Sequence, residues 1–257
     1  MQISEIHEMQ KANNAARLRD LEKYAHTIEF QRRVDQSLDL LATFLQHCNN
    51  PVISCGGGKD GTAVALLSRL LGADTPIICA NPPNPLPDRE EHKENLKHWL
   101  NREWIDVPYN WDVDLVISGA EKYPEGLKMR TLSKFQKDHG IDGVVFGIRA
   151  AESRKREINL AMRGEIYETP NGARCQPIVR WRAEDSLCLA LLMDAPINPV
   201  YIKMDGAGSL EQLHDGTWWP HGMENRSGWM RRYYPDYYDL YEAALKIYRG
   251  KSDECRY

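Results

Sequence analysis

Residues 54–62 read Ser-Cys-Gly-Gly-Gly-Lys-Asp-Gly-Thr. A run of three glycines weakens local order, because glycine loses more conformational freedom on folding than any other residue. Such a run earns its place where the backbone itself must bind something. Ahead of a helix, the amides of Gly56, Gly57 and Gly58 can converge on one anion, where the helix dipole favours negative charge. Lys59 adds a mobile positive charge to the same place. Ser54 and Thr62 supply hydroxyls, and Asp60 and Thr62 can cap the helix or help hold a metal. The chemistry this pattern suits is the holding of a phosphate chain. Its competitor is a plain tight turn with a solvated lysine. The Walker A pattern GxxxxGK[ST] is not met, since Ile53 stands five residues before Gly58 and Asp60 follows Lys59. GxGxxG is met only loosely, at Gly56, Gly58 and Gly61.

A second group lies in Gly143–Arg156, an apolar run leading into a basic patch. After Gly147, the residues Arg149, Arg154 and Arg156 offer planar forks matched to phosphate or sulfate oxygens, with Glu152 placed to orient one of them. Ser153 sits between them, and a solvated basic helix start is the competing account. Asn81 ends an apolar run and opens a loop, 82–88, holding four prolines. Near the C-terminus, Cys255 stands between Glu254 and Arg256, and a neighbouring cation can lower a thiol pKa. His92 and His98 do not form HExxH and are expected on a solvated helix face. His214 and His221 fall in a loop-like stretch, and no protein-borne metal centre is expected. Trp218, Trp219, Trp229, Arg231, Arg232, Tyr233, Tyr234, Tyr237 and Tyr238 interleave aromatics with positive charge, a pattern suited to stacking on bases. Against this, Tyr237, Tyr241, Leu245 and Tyr248 fit the apolar stripe of a packed helix, and the chain's net charge is -4. The packed helix is the preferred account.

These residues need a frame to hold them. The chain has 257 residues, with 42% hydrophobic and 27% charged, enough for one large α/β domain with appendages. Its six cysteines form no CxxC pair, which suits a reducing cytoplasm. The longest apolar runs fall short of the ~18 residues that span a bilayer, so no membrane partner is expected. Residues 3–48 show helical periodicity broken near His26–Thr27. Pro51–Cys55 and Pro76–Ala80 read as strands, Thr62–Leu71 and Arg89–Asn101 as helices, and Val113–Ser118 and Gly143–Ile148 as further strands. Pro235–Arg249 reads as one more helix. Short apolar strands alternating with helices predict a parallel sheet covered on both faces, with loops gathered at the strand C-termini. The expected division is an N-terminal helical segment 1–48, an α/β domain 49–200, and a helical and aromatic extension 201–257.

Three stretches, in order, carry a resemblance. Residues 50–62 resemble the PP-loop, SGGKDS, of the adenine nucleotide alpha-hydrolase superfamily, in the branch of the phosphoadenosine-phosphosulfate (PAPS) reductases and the ATP sulfurylase small subunit. Gly56 and Gly61 stand where that loop has its first and last serine. Gly147, Arg149, Glu152, Ser153 and Arg156 resemble the segment G-x-R-x-x-E-S-x-x-R. Residues 175–201 are similar to P-I-x-x-W-x-x-x-D-v followed by p-x-N-P-l-Y, with Trp181 read as core and Asn198-Pro199 as a turn. The resemblance implies a Rossmann-like fold of the HUP type, and ATP with Mg²⁺, or PAPS or adenosine phosphosulfate (APS), as ligand. It implies nucleotide contacts from Ser54, Gly56, Gly57, Gly58, Lys59, Asp60, Gly61, Thr62, Asn81, Gly147, Arg149, Glu152, Ser153, Arg154 and Arg156. Lys59 and Arg149 would be catalytic in cleaving ATP between its α- and β-phosphates to adenylylate an unidentified acceptor. The helical N-terminus before Asn50-Pro51 is nearer the sulfurylase subunit. The alternative is a sulfonucleotide reductase with Cys255 as nucleophile, although the family's E-C-G-x-H setting keeps only Glu254-Cys255 here. No cysteine set suits an iron–sulfur cluster. A nucleotide- or nucleic-acid-binding module without turnover is the third account, and pairing of copies through the N-terminal helices is compatible with all three.

Overall fold

The computed structural model describes residues 17–201, 203 and 226–254, with side chains in the last helix up to residue 247. Helix α1 (residues 17–25) breaks at His26–Thr27, where Thr27 caps α2 (Ile28–His47) by accepting the Phe30 amide at 3.3 Å. Then follow β1 (Pro51–Ser54), α3 (Lys59–Leu70), β2 (Ile77–Asn81), α4 (Pro87–Leu100), β3 (Trp104–Pro108), α5 (Val113–Ile117), α6 (Leu127–Asp138) and β4 (Gly143–Phe146). A short 3₁₀ turn at Ala150–Glu152 leads to α7 (Arg154–Arg163), β5 (Ile166–Thr169), β6 (Gly172–Cys175) and α8 (Ala183–Leu192). A second 3₁₀ turn covers Pro199–Tyr201, and α9 (Ser227–Tyr233) and α10 (Pro235–Glu254) complete the described chain.

The six strands form one sheet in the order β3-β2-β1-β4-β6-β5, parallel except for β5, which pairs antiparallel with β6. Successive strand residues point to opposite faces. Ile53, Ile77, Cys79 and Val145 enter the larger core with α2, α3 and α8, while Val52, Ile78, Ala80 and Val144 enter a smaller core with Leu132 of α6. Both faces are therefore covered, as continuous apolar strands require. Gly172, with φ +96°, makes the β5–β6 turn where a Cβ would lie 2.4 Å from the Asp142 carbonyl.

Two sequence expectations need correction. Val113–Ser118 is no strand: Asp112 accepts the Leu115 amide at 2.9 Å as an N-cap, and Val113 and Val116, three apart, bury one helical face. The third parallel strand is Trp104–Pro108, at the sheet edge, where Trp104 enters the larger core and Val107 the smaller, with Asp106 and Pro108 exposed. The helix after the glycine loop also starts earlier, at Lys59, and the last helix runs on to Glu254. Tyr241 and Leu245 of that helix are buried, as a packed apolar stripe predicts. Among the described residues, no helix is long and apolar enough to cross a membrane. Cys255, His214, His221, Trp218 and Trp219 lie outside the described residues.

Candidate functional site

Because β1, β2 and β4 are parallel and in register, Ser54, Asn81 and Phe146 end at one edge of the sheet. The glycine loop leaves β1 there. Gly57 has φ +85°, the left-handed region open to glycine, and Gly58 returns to extended backbone as the N-cap of α3. The chain thus reverses its peptide direction just before a helix N-terminus, the geometry in which successive amides can face one anion. Two side chains from the 198–201 turn grip this loop: Asn198 Nδ2 donates to the Gly57 carbonyl at 3.2 Å, and the Tyr201 hydroxyl accepts the Lys59 amide at 2.9 Å.

Under the loop lies a buried ionic group. The Lys59 ammonium is 3.0 Å from Asp60 Oδ2, Arg149 Nε is 2.8 Å from Asp60 Oδ1, and the Ser186 hydroxyl donates to the same oxygen at 2.7 Å. Lys59 is 6% exposed, Asp60 9% and Arg149 0%. Burial alone would raise the Asp60 carboxyl, but the Lys59 and Arg149 charges and the Ser186 and Lys59 hydrogen bonds hold it below its usual 3.8. Gly147 is obligatory for this packing, since a Cβ there would lie 2.4 Å from the Asp60 carbonyl carbon and oxygen. Gly61 is snug too, with a Cβ meeting Cys55 Cα at 3.2 Å. That contact is a physical reason for glycine at this position.

The described residues singled out in the loop, in 147–156 and at Asn81 each have a definite place. Arg149, fully buried, donates from Nε to Asp60 Oδ1 at 2.8 Å. Glu152 accepts the Arg149 amide at 3.0 Å and pairs with Arg156. Ser153 caps α7 by accepting the Arg156 amide at 3.3 Å, and Arg154 is exposed. Asn81 is half-buried, donating to the exposed Asp106 at 2.8 Å and accepting from Arg89 at 3.4 Å. Thr62 is buried, its hydroxyl 3.2 Å from His92 Nε2. His92 was expected in solvent and is 2% exposed, because α4 packs that face over the loop.

Ser186 and the inward role of Arg89 carried no signal in the sequence, while Tyr201 stood there only as the end of the 175–201 resemblance and Asn198 only as a turn former. Arg89 also donates to the Ala80 carbonyl at 3.0 Å, fastening the end of β2. Asp88, at the start of α4, pairs with Lys203 at 2.7 Å and accepts the hydroxyl of Tyr234, between α9 and α10, at 2.6 Å.

The described thiols do not suit nucleophilic chemistry. Cys55, Cys79, Cys175 and Cys188 are buried, and desolvation pushes Cys79 and Cys188 up to about 12 and Cys175 up as well. Cys48, half-buried and also raised, precedes β1 at the opposite edge. Among the described residues, no three His, Cys, Asp or Glu side chains gather as a metal site.

A parallel sheet with this strand order, a glycine loop opening the first crossover helix, and lysine, aspartate and a distant arginine locked beneath it define a Rossmann-like domain of the PP-loop class. Residues 50–205, more than half the chain, match the phosphoadenosine phosphosulfate reductase domain, and the chain belongs to that family within the adenine nucleotide alpha-hydrolase superfamily. No curated protein matches the sequence. Among solved structures, the fold is similar to PAPS reductase from Candida auris in a phosphate complex (10% identity, 67% of this chain and 90% of that one, TM-score 0.52). It is also similar to Candida glabrata FMN adenylyltransferase with FAD and inorganic pyrophosphate (16% identity, 74% and 69%, TM-score 0.50). NMN synthetase from Francisella tularensis is a third (15% identity, 90% and 97%, TM-score 0.50). At these identities the likeness is one of fold.

Proposed function

We propose that the protein is an adenine nucleotide enzyme that cleaves ATP between its α- and β-phosphates and passes the adenylyl group to an acceptor. The observation that carries this reading is the buried group of Lys59, Asp60, Arg149 and Ser186 directly under the Gly56–Gly58 loop. A loop amide cluster at a helix N-terminus binds the phosphate chain, and fixed positive groups beside it offset the charge that develops on departing pyrophosphate. Lys59 is the nearest such charge, and Arg149 acts through Asp60 by keeping the lysine and the loop in place. The acceptor attacks the α-phosphorus, the bond to the bridging oxygen breaks, and pyrophosphate leaves with the electron pair.

Asp60 does not read as a metal ligand, because both its oxygens are taken by Lys59, Arg149 and Ser186. Mg²⁺ would arrive on the phosphate oxygens as part of the substrate. The neighbours whose names state adenylyl transfer and pyrophosphate are in keeping with this chemistry.

The family's description favours a second reading, reduction of a sulfonucleotide. That reaction needs a thiolate, and the described cysteines are buried or at the far edge, which leaves Cys255 as its candidate. Incubation with ATP and Mg²⁺, followed by product identification, separates the cases. AMP with pyrophosphate supports the first reading, and ADP with phosphate overturns it. Sulfite from PAPS and thioredoxin, lost in Cys255→Ala, would establish the second.

A further inference from the structure

The glycine loop carries carbonyls as well as amides, and a carbonyl facing a phosphate would repel it. Gly57 is the residue at which this conflict is sharpest, because its left-handed backbone rotates the two adjoining peptide planes. Its carbonyl points into the protein and meets the side-chain amide of Asn198 at 3.2 Å. Asn198 is 1% exposed, so this donor is dry and pre-set. The other end of the same side chain is fixed as well: Asn198 Oδ1 accepts the Val200 amide at 3.0 Å, closing the turn that also carries Tyr201. Tyr201 accepts the Lys59 amide two residues further along the loop. One short turn, more than a hundred residues away in sequence, therefore holds the loop at two points.

We propose that Asn198 is a positioning residue of the phosphate site: by binding the Gly57 carbonyl it turns that peptide dipole away from the anion and leaves the neighbouring amides facing it. This rests on the phosphate-binding reading above. The alternative, a residue that merely closes a turn, needs only Oδ1 and makes no use of Nδ2. The two roles reside on different atoms, and a single isosteric change separates them.

N198D keeps the oxygen that accepts the Val200 amide and replaces the donor with a carboxylate oxygen facing a carbonyl. The titratable side chains around the adjoining small cavity are Lys59 on α3, His92 on α4 and Tyr201 on the turn itself. With inorganic pyrophosphate as the probe in calorimetry, N198D near neutral pH binds at least about tenfold more weakly than wild type. As pH falls and the new carboxyl takes up a proton, it regains a donor, and the ratio of the two affinities moves back toward one. N198L lacks donor and charge, and shows a deficit that pH does not repair. Circular dichroism and thermal melting check that each variant is folded; if N198D does not fold, N198L decides on affinity and melting together: a deficit of about tenfold at an unchanged melting point supports the proposal, whereas wild-type affinity, or a deficit that comes with a lowered melting point from the lost turn bond, overturns it. Pyrophosphate and ATP failing to bind wild type would remove the phosphate-binding reading, and this inference with it. Binding by wild type with equal affinity in N198D and N198L, or a deficit in N198D that ignores pH, overturns the positioning role alone.

Discussion

Replacing Asp60 with asparagine keeps the shape of the side chain and removes its charge. In the native protein the carboxylate takes Lys59 Nζ at 3.0 Å, Arg149 Nε at 2.8 Å and Ser186 Oγ at 2.7 Å. An asparagine with its oxygen at the Oδ1 position would still accept from Arg149 Nε and Ser186 Oγ, and would turn its NH₂ group against the Lys59 ammonium. Removing one partner of a buried ion pair costs roughly 3–5 kcal/mol, since the remaining charge stays desolvated. Asp60 keeps slight solvent contact, so the lower end, about 3 kcal/mol, is the expected loss. In a chain of this size each kcal/mol shifts the melting midpoint by roughly 2–4 °C, giving a drop of about 6–12 °C near neutral pH. The pH dependence follows from the depressed Asp60 pKa. Its contribution is fully present above the usual value of 3.8 and is lost as pH falls through the lower folded value. The gap between wild type and D60N, measured by urea denaturation across an acid series, therefore narrows below that value. A loss under about 1 kcal/mol at neutral pH, or a gap that stays constant into acid, refutes the view that this carboxylate organises the loop.

Gly147→Ala places a methyl group against the Asp60 backbone, and an overpacking loss of about 1–3 kcal/mol is expected in denaturant titrations, with weaker ATP binding. In the native protein Cys55, Cys79, Cys175 and Cys188 remain unlabelled by iodoacetamide near neutral pH and become reactive on unfolding, which peptide mass spectrometry reads directly. Ser37→Ala removes a hydroxyl that donates to the Pro177 carbonyl at 2.7 Å and accepts Trp181 Nε1 at 2.9 Å. Two buried partners are then unsatisfied, and a loss of about 1–3 kcal/mol follows by thermal melting. Tyr234→Phe strips Asp88 of a 2.6 Å donor and loosens the C-terminal helices from α4, seen as faster amide exchange in α9 without loss of the central strands.

The loop was legible because its signals are local: a β-branched run, three glycines, a lysine and a helix start within about a dozen residues. The parallel sheet followed from apolar runs too short for helices. Trp104–Pro108 escaped because its two buried residues, Trp104 and Val107, give neither strict alternation nor a continuous apolar run, and it ends in proline. Val113–Ser118 misled for the opposite reason: its composition is apolar and β-branched, and the deciding feature was Asp112, one residue outside it. Ser186 and Tyr201 could not be singled out, because each acts on a partner more than a hundred residues away, and neither type is diagnostic alone. His92 was misread because the helix face it occupies is polar, and only packing against the loop makes that face interior.

The distances along the chain have a kinetic meaning. Asp60 waits for Arg149, 89 residues on, and for Ser186, 126 residues on, and Gly57 waits for Asn198, 141 residues on. Contacts that close such long loops come late, since their entropy is lost before any of them is rewarded. A growing chain that has just made β1 and α3 holds an unfinished loop with a buried-type carboxylate still in water. On the proposed reading, the phosphate site is complete only once the segment around residues 186–201 has docked.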